Sequence, residues 1–441
     1  MPSVNIVGGG LAGLAAAAAL GSAGFQVDLL ESRSFLGGRA TSFPVNPGDD
    51  DSELIDNCQH VLLRCCVNLL DFYARLGVAD RIQFYREYYF LEPGGRLSTL
   101  GRSSLPAPLH LTPSFLRMAY LGVADKFAIS RAMMALMRER GRRRDLDQIT
   151  MLDWLLQKKQ TPRAIDRFWR QVLVSAVNEE LDRMAALHGF QVFWLGMLAR
   201  ADSYEMGVPQ VPLRELYSLD AWRSMGKVRI HSRSPVDRLM FRNGAVSGVQ
   251  VAGAAHAADF HICAVPFERL GALAPELGID TAPFEHSSIT GIHIWFDRSV
   301  TGLPHAALLE RTIQWMFNKS QGRYLQFVVS ASRDLVEMPR AEVIDLALGE
   351  AAEFFPRMRE AKVERAHVIK EVRATYSARP GMEGVRPDGK TNASNVFLAG
   401  DWTRSGWPAT MEGAVRSGYR AAEHVCAAAG QPGKFLLPDI A

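Results

Sequence analysis

No stretch of these 441 residues stays apolar for the roughly 20 consecutive positions that a membrane-spanning helix requires. Cysteine is scarce. There are five, an odd number, and Cys65 and Cys66 are adjacent, a poor basis for a framework of bridges. Reduced thiols in a cytosolic protein are the expectation. No Cys or His spacing of the metal-binding kind occurs, so no metal is expected. An excess of one charge is also missing: 50 Lys and Arg face 47 Asp and Glu, and a net +3 gives nucleic acid no footing. The N-terminus lacks the basic start of a signal peptide, and glycines interrupt its apolar run. These absences point to a protein kept in the cytoplasm, with peripheral contact at the inner face of the cytoplasmic membrane left open. Internal repeats and low-complexity segments are absent too.

What is present is ordinary globular composition, 48% hydrophobic and 22% charged, in a chain long enough for roughly two or three structural units. The first thirty residues carry the strongest local signal. Val4–Val7 is a short apolar run, "GGGLAG" follows at positions 8–13, and an alanine-rich helix runs to about Leu20. Gly24 stops it, and a second strand over 27–30 ends at Glu31. Strand, glycine turn, helix, strand and acid form the dinucleotide fingerprint. Gly8 permits the tight turn, Gly10 a close backbone approach to a pyrophosphate, and Gly13 close helix–strand packing. Leu11 and Ala12 open the helix, whose free amides favour phosphate. Glu31, with Ser32 beside it, can accept hydrogen bonds from ribose hydroxyls. An acid here disfavours a 2′-phosphate, which leaves FAD or NAD. In "SRSFLGGRA", Gly38, Arg39 and Ala40 supply a second glycine-rich approach, with an arginine able to pair with phosphate oxygens.

Near the other end, "FLAGDWTRSGWPATMEGAVRSGY" (397–419) runs from a buried strand through a turn with two exposed-looking tryptophans into a helix. It resembles the C-terminal flavin motif of the glutathione-reductase-type and amine-oxidase-type flavoproteins. That resemblance implies FAD, with Gly400 and Asp401 at the ribityl chain and the helix start at Met411, Glu412 and Ala414 near the pyrimidine edge. A helix N-terminus there favours the negative charge of reduced flavin. Between the two ends, "KVRIHSRSPVDRLMFRNGAVSGVQVAG" reads as a strand and then a hairpin turning at Asn243-Gly244. "ADFHICAVP" reads as another buried strand. In the family this hairpin layer lies at the adenine end, and Val236 matches its backbone contact. The implied fold is α/β. A discontinuous Rossmann-type FAD domain spans 1–64, 208–274 and 390–432. A substrate domain, a mixed sheet with a helical cap, spans 65–207 and 275–389. There is one dinucleotide fingerprint, so no dedicated nicotinamide domain is visible, and the electron donor is unknown.

The inserted segments suggest an apolar substrate. "TMLDWLLQKKQ" and "RFWRQVLVSAVN" have helical periodicity, while "TGIHIWFDRSV" and "RYLQFVVSAS" alternate as strands. The run 113–144, rich in Met, Leu and Phe and ending in Arg142, Arg143 and Arg144, fits either a helix on an anionic membrane surface or a core helix with a solvated basic turn. Trp194, Trp315, Trp402 and Trp407 are candidates to line a lipid tunnel, although core packing explains any one of them alone.

The runs "DNCQHVLL" (56–63), "MGVPQVPLRELY" (206–217), "IHIWFDRSVTGLPHA" (292–306), "QWMFNKS" (314–320) and "GDWTRSGWPATMEGAVRSGY" (400–419) together resemble the hydroxysqualene dehydroxylases, also called squalene-associated FAD-dependent desaturases. These belong to the phytoene-desaturase and amine-oxidase superfamily. One position departs: Cys58 stands where that family has glycine, which is expected to crowd the flavin face. The resemblance implies reductive removal of the hydroxyl of hydroxysqualene, giving squalene and oxidised FAD. His60 is the candidate proton donor, set against a purely structural histidine. Gln59, Trp315 and Trp407 are the candidate substrate contacts. A carotenoid-type desaturase, a flavin amine oxidase and a flavin-free prenyl-protein escort factor are the rival readings.

Overall fold

Strands Ser3–Val7 and Gln26–Leu30 are short, and Val4, Ile6, Val7, Val27, Leu29 and Leu30 are buried, as befits interior strands of a parallel sheet. They form the middle of a five-stranded parallel sheet ordered Val228–His231, Gln26–Leu30, Ser3–Val7, Phe260–Cys263, Val396–Leu398. Its register pairs Val4 with Val27 on one side and with Phe260 on the other, while Ile262 pairs with Phe397. Three segments far apart in sequence thus build one sheet. The computed structural model describes residues 1–46, 52–225 and 227–440.

The helix Leu11–Ser22 is buried all round between this sheet and the C-terminal helix Met411–Ala428. Alanine and glycine let the two helices touch: a β-carbon on Gly418 would lie 2.2 Å from the Ala12 carbonyl oxygen. Beside the sheet, the hairpin Val236–Arg242 and Ala245–Val251 turns at Asn243 and Gly244. Both have positive φ, as a two-residue turn of this kind demands. A third strand, Ala254–Ala257, completes the meander.

The second unit is floored by a seven-stranded mixed sheet. Its order is Val363–Tyr376, His286–Phe296, Tyr324–Ser330, Trp315–Ser320, His305–Leu308, Glu87–Leu91, Leu97–Gly101. Helices of residues 112–198 cover it. The one at Met151–Gln157 starts on a capping box, in which Thr150 accepts from the Asp153 amide and Asp153 accepts from the Thr150 amide. Trp154, Trp169, Phe190 and Phe193 interlock edge to face at 4.7–6.2 Å inside this cap. The run 113–144 is not one helix. It breaks between Thr112–Arg117 and Val123–Glu139, where Met118 and Gly122 leave helical geometry and Gly122 caps the second helix. The "RFWR" segment widens into a π-helical turn at Ile165–Arg170 before Gln171–Val177, which ends on Asn178 in the left-handed region.

Candidate functional site

The first strand ends in a backbone shape reserved for glycine, with Gly8 at φ +110°. A β-carbon on Gly13 would sit 2.0 Å from the Gly8 carbonyl oxygen, so the helix can start this close to the strand only without one. Gly10 caps the helix without any side-chain bond, which leaves the amides of the first turn, at Leu11, Ala12 and Gly13, free to meet an anion. The second glycine pair crosses directly over this turn. The Gly37 amide donates to the Gly9 carbonyl at 2.9 Å, and a β-carbon on Gly38 would come within 2.9 Å of the Gly10 Cα. A slot walled by bare backbone is what a pyrophosphate needs. Glu31 closes its side. One carboxylate oxygen accepts the Gly9 amide at 2.7 Å, and the other accepts the Arg33 amide at 2.7 Å and the Ser32 hydroxyl at 3.1 Å. Val236 opens the hairpin two residues after Ser234, whose amide donates to the Glu31 carbonyl at 2.8 Å.

Arg39 and Ala40 follow the glycine pair. The Arg39 guanidinium donates to Asp401 Oδ1 at 2.5 Å and to the Ala374 carbonyl at 3.0 Å. Burial alone would lower this guanidinium, but Asp401 beside it holds it above the ordinary arginine value. Its partner here is therefore the far wall of the site, and a phosphate would have to share it with Asp401. Gly400 and Asp401 end the strand Val396–Leu398, and the Gly400 amide donates to Ser417 Oγ at 2.8 Å. The helix at Met411 is capped by Thr410, whose hydroxyl accepts the Gly413 amide at 3.0 Å, and it brings Ala414 into its first turn. The Glu412 side chain points away from this opening. It accepts from Leu69 N at 2.7 Å and Asn68 Nδ2 at 2.8 Å, capping the helix Val67–Arg75, and burial raises its carboxyl above the usual range. Only the backbone of Glu412 is left to face a cofactor.

Between the walls lies the loop 56–60. Asp56 anchors it, accepting from Ser42 Oγ at 2.7 Å, from the Leu213 amide at 2.9 Å and from Lys319 Nζ at 3.2 Å. Lys319 also donates to Gln59 Oε1 at 3.1 Å, so the side-chain oxygen of Gln59 is engaged by a lysine of the second unit. Asn57 donates to the Arg39 carbonyl at 2.7 Å, while its buried Oδ1 has no partner among the described residues, an acceptor left open at the site. Cys58 is buried, with its thiol on the Gln59 carbonyl at 3.7 Å and pushed up to about 12 by burial. His60 is half-buried. Its Nδ1 meets the Cys58 carbonyl at 2.9 Å and must therefore carry the proton, which leaves Nε2 bare in the neutral ring. Burial pulls its pKa below the ordinary histidine value.

The tryptophans separate. Trp315 stacks on Phe317 at 5.9 Å, with Tyr88 edge-on at 6.2 Å, and its indole donates to Ser175. Trp402 is 1% exposed and donates to the Val265 carbonyl, against the exposed look of its sequence. Trp407 is also buried, because the chain's last residues fold back over it. Its indole donates to Asp439 at 3.0 Å, and it packs with Cys65, Leu195 and Ile440 in a cluster of its own, apart from Trp315. Lys319, Asp56 and Asn57 were not singled out from sequence, although "QWMFNKS" and "DNCQHVLL" contain them.

A glycine-lined phosphate slot, an acid at the second strand and a late strand–helix end joined to it by Arg39 and Asp401 define an FAD-dependent oxidoreductase. The chain belongs to the flavin containing amine oxidoreductase family, whose model matches residues 11–426. It is similar to the zeta-carotene desaturase of Arabidopsis thaliana, 27% identical over 96% of this chain and 85% of that protein. A probable zeta-carotene desaturase of Synechococcus elongatus is also 27% identical, over 95% of this chain and 98% of that protein. The 15-cis-phytoene desaturase of Solanum lycopersicum is 27% identical over 96% of this chain and 77% of that protein. Among solved structures, an oxidoreductase from Methanosarcina mazei superposes with a TM-score of 0.71 at 17% identity, covering 94% of this chain and 98% of that one. Putrescine oxidase bound to putrescine gives 0.69 at 16%, covering 97% and 99%. These likenesses establish the fold.

Proposed function

We propose that the chain reductively dehydroxylates hydroxysqualene to squalene. The observation that carries this reading is a group of packed aromatic rings: Tyr88 and Phe317 are buried in the same core cluster as Cys58 of the histidine loop, and Trp315 packs against it. It fits a long polyisoprenoid chain, the class to which the substrates named in the desaturase relatives belong. In the overall change a C–O bond breaks, a C–H bond forms, water leaves and reduced FAD is oxidised. FAD, when bound, supplies the hydride.

The chain's own residues do the rest. Gly8, Gly10, Gly13 and Gly38 would line the phosphates, Glu31 the ribose and Asp401 the ribityl chain. Hydroxide leaves poorly, so a proton must reach it, and His60 Nε2 would deliver one once the ring is charged; such a group contributes about 10²–10⁴-fold. The allylic cation left on the substrate is stabilised by the faces of Trp315, Phe317 and Tyr88. Burial keeps water from recapturing it.

Anaerobic incubation of the dithionite-reduced protein with hydroxysqualene, followed by mass spectrometry of the lipids, tests the reading. Squalene is the expected product, and unchanged hydroxysqualene would overturn it. The desaturase relatives favour a second reading, oxidation of a polyisoprenoid with electrons passed to an acceptor such as a quinone. Product formation from phytoene or zeta-carotene by oxidised enzyme with a quinone, but none from hydroxysqualene, would select it.

A further inference from the structure

Among the described residues, fourteen large hydrophobic side chains are exposed, and six of them fall between positions 105 and 134: Leu105, Leu109, Leu116, Val123, Phe127 and Met134. Scattered single exposures need no explanation, but a concentration of this kind does. Val123 and Phe127 are 86% and 69% exposed. On the helix Val123–Glu139, Val123, Phe127 and Met134 share an arc of about 40°, with Arg138 at its edge. Leu116, at the end of the preceding helix, is held beside them, because its carbonyl accepts Lys126 Nζ at 2.7 Å.

The charges around this stripe are sorted. Its acids are occupied: Asp125 is buried and bonded to Thr161 and the Gly122 amide, Glu139 pairs with Lys158 and Arg143, and Asp145 pairs with Arg143. Its bases are not. Arg117, Arg138, Arg142 and Arg144 are on or near the surface and have no carboxylate partner among the described residues. Free arginines rimming an exposed apolar stripe complement a surface that is apolar within and anionic at its edge, which describes an anionic lipid bilayer. No helix among the described residues is long and apolar enough to cross a membrane, so such contact lies along the surface. The buried side of the same helix, Ile129, Ala132 and Leu136, belongs to the core cluster that also holds Cys58 and Trp402.

We propose that the segment from Leu105 to Arg144 docks the protein onto an anionic membrane, with Val123 and Phe127 inserted and the four free arginines on lipid phosphates. The inference rests on surface chemistry and holds whichever polyisoprenoid is turned over.

Cosedimentation of the FAD-loaded protein tests it, using phosphatidylcholine vesicles with and without roughly 30% phosphatidylglycerol. Wild type is expected to bind the anionic vesicles at low salt and to lose that preference in about 1 M salt, where charges are screened. The double variant Val123→Ser/Phe127→Ser should bind at least about tenfold more weakly. Arg117→Glu/Arg138→Glu should weaken binding by a similar factor at low salt only. Both should keep the flavin spectrum and the turnover of detergent-dispersed substrate, which separates loss of docking from misfolding and from failure of the proposed reaction. Wild type left in the supernatant, equal binding to neutral vesicles, or Val123→Ser/Phe127→Ser binding like wild type would each overturn the proposal. So would a wild-type dimer that this variant splits while no vesicle is bound, since the stripe would then be covered by a second copy.

Discussion

His188, His261, His293 and His305 are all at or below 1% exposure, and burial depresses each imidazole, to about 4 for three of them and about 3 for His293. In the unfolded chain they would titrate near 6.5. Between these values the unfolded state binds protons that the folded state refuses, so stability must fall as pH drops from about 6.5 toward 4. Linkage gives a loss of roughly 2 kcal/mol per histidine by pH 5. Four such groups together approach the whole stability of a typical domain, about 5–15 kcal/mol. The protein is therefore expected to lose much of its stability between neutral pH and pH 5. His188 is the cleanest probe, since neither ring nitrogen has a partner among the described residues. His188→Leu keeps the volume, removes the titration and should flatten the acid limb by roughly 2 kcal/mol at pH 5. Urea denaturation of both proteins at a series of pH values measures this directly. A wild-type stability that does not change from about pH 7 to pH 5, or a variant with the wild-type slope, would refute the reasoning.

Three further outcomes are expected. His60→Ala should keep FAD bound and lose about 10²–10⁴-fold in turnover; because burial lowers the wild-type ring, wild-type turnover should rise as pH falls below neutrality until acid unfolding intervenes, and unchanged turnover in the variant removes the role. Gly13→Leu places a β-carbon where the Gly8 carbonyl stands, so the purified protein should lack flavin absorbance even after incubation with FAD. Gly291→Val directs a side chain at the Asn57 carbonyl, 2.9 Å from where its β-carbon would lie, and should cut turnover through the loop 56–60 while flavin content stays near wild type.

Legibility in the sequence followed locality. The strand–turn–helix–strand start and the Asn243-Gly244 hairpin were readable because neighbouring residues fix them. So was the strand leading into Gly400. What stayed hidden depends on partners hundreds of positions away. Trp407 reads as exposed until Asp439 and Ile440 return to cover it. Glu412 reads as a helix-start acid for the cofactor, yet its carboxylate serves residues 344 positions earlier. Lys319 looks like a strand-end lysine, and only the folded chain sets it between Asp56 and Gln59. The run 113–144 has helical periodicity on both sides of a break that Gly122 and the docking of Met118 decide.

The sheet at the heart of the molecule has a consequence for its birth on the ribosome. The strand Ser3–Val7 emerges first, and its neighbour at Phe260–Cys263 waits for Val396–Leu398 to shield its open edge. At 5–20 residues per second, roughly 20–80 s of translation separate the first strand from the last. Throughout that interval the alanine-rich first helix also lacks the C-terminal helix that covers it. A messenger cut short before codon 396 should thus yield a sticky, incomplete sheet that fails as a fold before it could fail as an enzyme.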